Sequence, residues 1–210
     1  MNASWNCPDR RGWQRAFSLV EMLVVMGIIV LLVALAAPAY HSVARAGGLT
    51  RAGQLVADEI ALARQEARSR NRFVEMRVID LPPADAGNGP GAWRGIQLWM
   101  ADEEGIPRPH NRLIRLPETV VISPAETLSP LLGAAPSRSG TADFGAAKAR
   151  SWRGFRFRPG GAMDAGIITA TNNFLTLVDA RDADASAEAP ANFHAIRVNP
   201  LTGRVTTHRP

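Results

Sequence analysis

The most unusual ionisable residue in this sequence is Glu21, which lies five residues into an apolar run. The run extends from Phe17 to Ala37 and contains 21 residues with a single charge. A carboxylate near the centre of a membrane helix costs about 2.5–3.5 kcal/mol, and somewhat less toward the end of the helix. Neither a cleaved signal peptide nor a simple membrane anchor gains from such a residue. The glutamate therefore indicates a helix that assembles with a partner.

A positive charge that could neutralise Glu21 arises if the chain is cut between Ala16 and Phe17. The new α-amino group would lie four residues before Glu21, on the same helix face or on that of a neighbouring helix. A buried ammonium and a buried carboxylate neutralise each other between packed subunits, whereas an unpaired charge is strongly penalised. We expect such a pair to set the axial register of helices that otherwise meet through nonspecific apolar contacts.

The apolar run also has the length of a transmembrane helix. At about 1.5 Å per residue it is about 31 Å long, close to the thickness of the hydrocarbon core of a bilayer. The preceding residues 1–16 carry Arg10, Arg11 and Arg15 against Asp9. Positive charge before a membrane helix predicts a cytoplasmic N-terminus and a C-terminal domain on the other side of the membrane.

The same apolar run is compatible with a secretory signal peptide or with an uncleaved membrane anchor. Ala34-Leu35-Ala36 and Ala37-Pro38-Ala39 both offer small-x-small sites for a general signal peptidase. Cleavage there would release an exported soluble protein that starts at Ala37 or Tyr40. An uncleaved anchor would instead keep the whole chain attached to the membrane.

Residues 16–21, Ala-Phe-Ser-Leu-Val-Glu, resemble the cleavage motif of the prepilin families, which are the type IV pilins, the type II secretion pseudopilins and their relatives. The family motif is a small residue, Phe, Ser or Thr, Leu, any residue and Glu, followed by about twenty apolar residues. The resemblance implies cleavage after Ala16 by a prepilin peptidase and N-methylation of Phe17. The family normally has glycine at the position of Ala16. Many pilins also carry a proline where Pro38 stands, and a proline there bends the helix or ends it.

A second helical pattern follows from about Leu49 to Ser69. Its apolar residues recur at spacings of three and four, which places them on one face of a helix. They are Leu49, Ala52, Val56, Ile60, Ala63 and Ala67. We expect this face to dock onto a sheet, so that residues 38–71 continue the N-terminal helix as an amphipathic spine.

The remaining residues, 72–210, have the short alternating segments and turns of a β-rich domain. Strands are predicted over 73–79, 95–100, 112–116, 119–123, 154–158, 174–178, 194–198 and 203–207. Flexible loops are expected near 82–92, 124–151 and 179–190, because these stretches are rich in Pro, Gly, Ala, Ser or Asp. The predicted fold class is α+β, with a long N-terminal helix packed on a small antiparallel β domain, as in pilins.

This layout resembles the H-type minor pseudopilins of type II secretion and the FimT-like pilins. More narrowly, residues 49–78 and the terminal VNPLTGRV resemble the cassette protein D group of the Verru_Chthon prepilin-type families. The likeness covers the second helical segment, the first strand and the last hairpin.

No catalytic set stands out elsewhere in the sequence. The four histidines, at positions 41, 110, 194 and 208, are isolated, and the single cysteine, Cys7, lies in the leader. The acidic residues 102–104, followed by Gly105, are typical of a solvated hairpin tip. Asp179, Asp182 and Asp184 lack the glycine and the bidentate glutamate of a dedicated calcium loop. We therefore predict no enzyme, no cofactor and no metal.

The charge pattern does not favour a nucleic-acid partner. The net charge is +5, and removal of the leader would lower it to about +3. Arg153, Arg156 and Arg158 lie near Trp152, Phe155 and Phe157, and an alternating strand is expected to place the arginines in water and the phenylalanines in the core. A DNA-binding competence pilin is an alternative that rests on these arginines.

The sequence thus predicts a minor pilin or pseudopilin subunit of a type IV pilus-like filament or a type II secretion pseudopilus. Its precursor would be a single-pass protein of the bacterial inner membrane, with residues 1–16 as a cytoplasmic leader and residues 17–37 as the transmembrane and assembly helix. The expected partners are a prepilin peptidase and other subunits, which it would contact through that helix.

Overall fold

The computed structural model describes residues 18–84, 91–133, 138–145, 147–164, 173–183 and 188–210, without the side chains of 36–46. The chain divides into two compact units, Met1–Ser42 and Val43–Pro210. The predicted fold class is confirmed, because one long helix precedes antiparallel sheets.

Helix α1 extends over Leu19–Ser69. It passes through Pro38, so this proline does not end the helix. The helix ends where Asn71 adopts a left-handed conformation, with φ of 52°. The amide of Arg72 then donates to the carbonyl of Ala67 at 3.2 Å. This arrangement satisfies one of the last free carbonyl groups and is a common way for a helix to end.

The second half of α1 buries the predicted apolar stripe. All six stripe residues are at most 3% exposed, and they belong to the main hydrophobic core of the domain. Gly53 lies beside this stripe, and the imidazole ring of His194 packs against it. A Cβ atom at Gly53 would lie 2.5 Å from that ring, so only glycine permits this close approach. The predicted docking of this helix face onto a sheet is confirmed.

In the described part of the chain, ten strands follow α1, and all their pairings are antiparallel. They are β1 Val74–Leu81, β2 Ala92–Ala101, β3 Pro107–Pro109, β4 Ile114–Arg115, β5 Val120–Ile122, β6 Arg138–Phe144, β7 Ala147–Phe157, β8 Phe174–Asp179, β9 His194–Val198 and β10 Val205–His208. One sheet has the order β3-β2-β1-β7-β6, with β4 also pairing with β2, and the other has the order β10-β9-β8-β5. A 3-10 helix covers Pro130–Leu132.

Most predicted strands are confirmed, with shifted ends. The strands predicted at 73–79, 119–123, 174–178, 194–198 and 203–207 correspond to β1, β5, β8, β9 and β10. β2 begins three residues earlier than predicted, and only two residues of the segment 112–116 form a strand, β4. The predicted C-terminal hairpin is confirmed by the pairing of β9 with β10.

Strand β1 is buried on both faces rather than on one. Val74, Met76 and Val78 belong to the main core, as the alternation predicts. The opposite face carries Ile79 and Leu81, which form a second apolar cluster with residues of the β6–β7 hairpin. That cluster is completed by Phe144 and Trp152. The burial of the second face therefore depends on residues more than sixty positions away in the sequence.

The structure differs from the expected loop over residues 124–151. Strand β6 and the first part of β7 lie in this stretch, and Leu131 and Leu132 of the 3-10 helix are buried. The composition of β6, Arg-Ser-Gly-Thr-Ala-Asp-Phe, does not favour a strand on its own. Pairing with β7 and burial of Phe144 compensate for that weak local preference.

The other two expected loops lie partly outside the described residues. Residues 82–84 and 91 form no strand, and residues 85–90 are not described. Strand β8 ends at Asp179, a turn follows, and residues 184–187 are not described.

Candidate functional site

The N-terminus of α1 is held by a side-chain cap. The backbone amide of Glu21 donates to Oγ of Ser18 at 3.2 Å, and the amide of Met22 donates to the carbonyl of Ser18 at the same distance. A serine that precedes a glutamate by three residues is the sequence signature of a helix start. Ser18 is therefore the N-cap residue immediately before α1, and Glu21 lies in the first turn of the helix.

The first half of α1 presents apolar side chains in every direction. From Leu19 to Leu35 the large apolar residues are between 44% and 81% exposed. Glu21 is the single charged residue among them, and it is also exposed. A helix that is apolar all round is stable only when lipid or other protein covers it. This surface, which we call the apolar sleeve (Leu19–Leu35), is therefore built for contact with something outside the single chain.

The predicted processing residues lie outside the described part of the structure. Ala16 and Phe17 are not described, nor is the side chain of Pro38. The roles of these three residues, and the pairing of Glu21 with a neighbouring N-terminus, stay predictions. Within the described residues, no helix meets the length and hydropathy expected of a membrane span.

Comparison with protein families identifies the same segment. Residues 14–37 match the model of the prokaryotic N-terminal methylation motif. This chain carries a prepilin-type methylation motif. The motif covers the positions of Ala16, Phe17 and Glu21 and extends along the apolar sleeve. No curated protein matches the sequence.

Two solved structures resemble the chain that carries this motif. One is the minor pseudopilin EpsH from the type 2 secretion system of Vibrio cholerae, with 8% identity and a TM-score of 0.43. The match covers 77% of this chain and 97% of that one. The other is the type IV minor pilin FimU of Pseudomonas aeruginosa, with 13% identity, a TM-score of 0.40 and coverage of 77% and 92%.

Two of the acidic candidates outside the methylation motif, Asp102 and Asp179, are engaged in local contacts. Asp102 begins the turn between β2 and β3, where it accepts hydrogen bonds from the amide of Ile106 at 2.7 Å and from Arg108 at 2.6 Å. The bond from Arg108 lowers the pKa of Asp102. Asp179 is paired with Arg181 at 3.0 Å, and Asp184 is not described. Among the described residues, no group of three His, Cys, Asp or Glu is arranged to hold a metal ion.

Of the three arginines predicted to lie in water, Arg153 and Arg156 of β7 are only partly exposed, whereas Arg158, which follows β7, is exposed as expected. Phe155 and Phe157 are buried, as expected. Arg156 and Arg158 both pair with Asp164, the latter at 2.9 Å, and Arg156 lies 4.5 Å from the ring centroid of Phe73. These contacts give Arg156 and Arg158 a structural role in closing the turn after β7.

Arg153, also in β7, likewise differs from the prediction. Its guanidinium lies 5.1 Å from the ring centroid of Trp93 and 3.4 Å from the carbonyl oxygen of Leu132. Arg153 therefore ties β7 to the 3-10 helix and to β2 rather than lying free in water. Alternation alone could not anticipate these contacts, because both partners are distant in sequence.

One polar hollow was missed by sequence reasoning. It has a volume of about 610 Å³ and lies along the C-terminal hairpin. Its lining includes Arg197 and Asn199 of the first arm and Arg204 and Thr206 of the second. The sequence pattern that indicates this hollow is the alternation of polar residues on both sides of the turn at 199–202. We call this feature the hairpin hollow.

Proposed function

We propose that this chain is a minor pilin or pseudopilin subunit, made as a precursor and cut after Ala16 by a prepilin peptidase. Phe17 is then the mature N-terminus and is N-methylated. The observation that carries this proposal is the coincidence of the methylation motif over residues 14–37 with the exposed apolar sleeve.

The precursor is a single-pass protein of the bacterial inner membrane in this proposal. Residues 17–37 lie in the bilayer, the basic leader stays in the cytoplasm, and the β domain lies in the periplasm. The apolar sleeve supports the membrane location, since its side chains need an apolar environment. The basic residues before it support the orientation.

Assembly transfers the apolar sleeve from lipid to the neighbouring subunits of a filament. Glu21 is the one charge of the sleeve, so its transfer into a helical bundle is favourable only with a partner of opposite sign. The α-amino group of Phe17 in an adjacent subunit supplies that partner. The pair fixes the axial register, because a shift of one subunit along the bundle would leave both charges unpaired.

Mass spectrometry of the mature N-terminus tests the processing step. The full chain is expressed with a prepilin peptidase and, separately, without it. We expect a chain that starts at N-methylated Phe17 in the first case and an uncut precursor in the second.

Two variants at the cut site sharpen this experiment. Ala16→Gly should be cut at least as fast as the wild type, and Ala16→Leu should accumulate as precursor, because the site requires a small side chain. A mature chain that starts at Ala37 or Tyr40 in the wild type would instead identify an exported soluble protein and overturn the proposal.

A further inference from the structure

The hairpin hollow combines two arginines with polar neutral groups. Its lining includes Asn173, Arg197, Asn199, Thr202, Arg204 and Thr206. Among the described residues that line it, none is acidic. A volume of about 610 Å³ lies within the range of sites that hold small ligands. The hollow therefore has the size and the positive charge of a site for a small anion.

The hairpin that forms the hollow has a well-defined turn. The side-chain oxygen of Asn199 accepts hydrogen bonds from the amides of Leu201 and Thr202, each at 3.0 Å. Gly203 closes the turn with a φ of 66°, and its amide donates to the carbonyl of Asn199 at 2.7 Å. These bonds fix the distance between the two arms, and hence the separation of the two arginines that they carry.

The base of the hollow orients Arg197. Asn173 is 2% exposed, and its side-chain oxygen accepts a hydrogen bond from Nε of Arg197 at 3.3 Å. The carbonyl of Asn173 in turn accepts from the amide of Val198 at 2.8 Å, which fixes Asn173 itself to β9. A guanidinium oriented in this way loses less conformational entropy on binding, and its planar set of donors matches the oxygens of a carboxylate or phosphate.

A second, smaller hollow lies against the first and shares Arg197 and Thr206 with it. It has a volume of about 470 Å³, and its other lining residues include Phe174, Ala195 and His208. The positive side chain of Arg197 thus borders both hollows, and the second also includes the aromatic ring of Phe174. This arrangement suits a ligand that has an anionic group and an apolar portion.

We propose that the hairpin hollow binds the carboxylate or phosphate group of an anionic ligand, with Arg197 and Arg204 as its direct contacts. This binding activity goes beyond assembly, because the hollow is formed by the C-terminal hairpin, including its turn, and by Asn173, and it includes no residue of the apolar sleeve. Failure of the binding experiment would leave the processing and assembly proposals untouched.

Isothermal titration calorimetry of the full chain in non-ionic detergent tests this proposal. Inorganic phosphate and citrate are titrated separately, at constant ionic strength. We expect saturable binding of one or both, and the preferred probe assigns the hollow to phosphate or to carboxylate ligands. Arg197→Gln and Arg204→Gln should each weaken binding about tenfold or more, since a hydrogen bond to a charged group is worth about 1.5–3 kcal/mol.

Arg181→Gln is the matched control, because Arg181 is exposed and paired with Asp179 away from the hollow. It removes the same charge and should leave the affinity unchanged. Arg204→Lys keeps the charge and should retain part of the affinity. Because Arg204 is exposed, substitutions there should not disturb folding, so this position tests the proposal even if Arg197→Gln fails to fold. Absence of saturable binding for both probes, or an equal loss in Arg181→Gln, would overturn the proposal.

Discussion

The two halves of α1 differ in what covers their apolar side chains. In the second half, one stripe from Leu49 to Ala67 is buried against the β domain. In the first half, the apolar sleeve is exposed on all sides within the single chain. The apolar side chains of the second half are covered by the fold of the chain itself, whereas those of the first half need lipid or another protein to cover them. Their sequences already reflect this difference, since the first half is apolar throughout and the second is amphipathic.

The glycines of α1 show the same contrast. Gly53, in the second half, is in contact with the His194 ring, and a side chain there would overlap with it. Gly27, in the first half, has open space around the position of a Cβ atom. A glycine within the folded part is therefore required by packing, whereas Gly27 is free for contact with another helix, where small residues permit close approach.

The largest difference in stability between the two halves of α1 is expected from matched isoleucine substitutions. Ile60 is fully buried, so Ile60→Ala should lower the free energy of unfolding of the β domain by about 2–5 kcal/mol. Ile29 is 48% exposed, and Ile29→Ala should change that free energy by less than about 0.5 kcal/mol. Urea unfolding of the full chain in non-ionic detergent, followed by tryptophan fluorescence, measures both. Equal losses would contradict the division of α1 into a folded and an unpartnered half.

A smaller contrast is expected from matched glycine substitutions. Gly53→Ala should destabilise the β domain by about 1–3 kcal/mol, because the added methyl group overpacks against His194. Gly27→Ala should leave the domain unchanged and favour the helix locally by up to about 1 kcal/mol. The same unfolding experiment applies to both variants. A neutral Gly53→Ala would show that α1 and β9 do not approach as closely as the structure indicates.

The smallest effect on the stability of the β domain is expected from a change of pH, through His194. Burial lowers the pKa of His194 below its usual 6.5, and the positive charge of Arg209 adds to the shift. Between these two pKa values the unfolded chain binds a proton that the folded chain does not, so stability should decrease as pH falls below about 6.5. The slope should not exceed about 1.4 kcal/mol per pH unit.

His194→Gln should remove this component of the pH dependence, whereas His208→Gln should retain it, since His208 is exposed. Urea unfolding at a series of pH values between about 7.5 and about 5.5 measures the slopes. An unchanged slope in His194→Gln would assign the effect to other groups.

The features that could be predicted from the sequence are those that depend on neighbouring residues. The stripe on the second half of α1 follows a helical period, and Ser18 and Glu21 stand at the spacing of a helix cap. The methylation motif is likewise a local pattern. For the same reason the terminal hairpin could be predicted from its turn residues at 199–202.

The features that could not be predicted depend on residues distant in sequence. Arg77 is a charged residue in a strand, and the sequence offers no reason to bury it. In the structure it is 5% exposed, lies 3.9 Å from the ring centroids of both Trp99 and Trp152, and pairs with Glu75. Arg138 of β6 pairs with the same glutamate at 2.6 Å. Only the pairing of β1 with β2 and β7 brings these groups together, and strand β6 was missed for the same reason.

The central claim is that the apolar sleeve is completed by neighbouring subunits, with Glu21 as its charged contact. The most direct test measures how much of the processed chain is recovered in sheared filaments from cells that express the peptidase and the other subunits. Glu21→Gln should be cut normally but recovered more than tenfold less than the wild type, because the neighbouring ammonium would be buried without a partner. Asp58→Asn, an exposed acidic position in the second half, should be recovered normally. Equal recovery of Glu21→Gln and the wild type would contradict the claim.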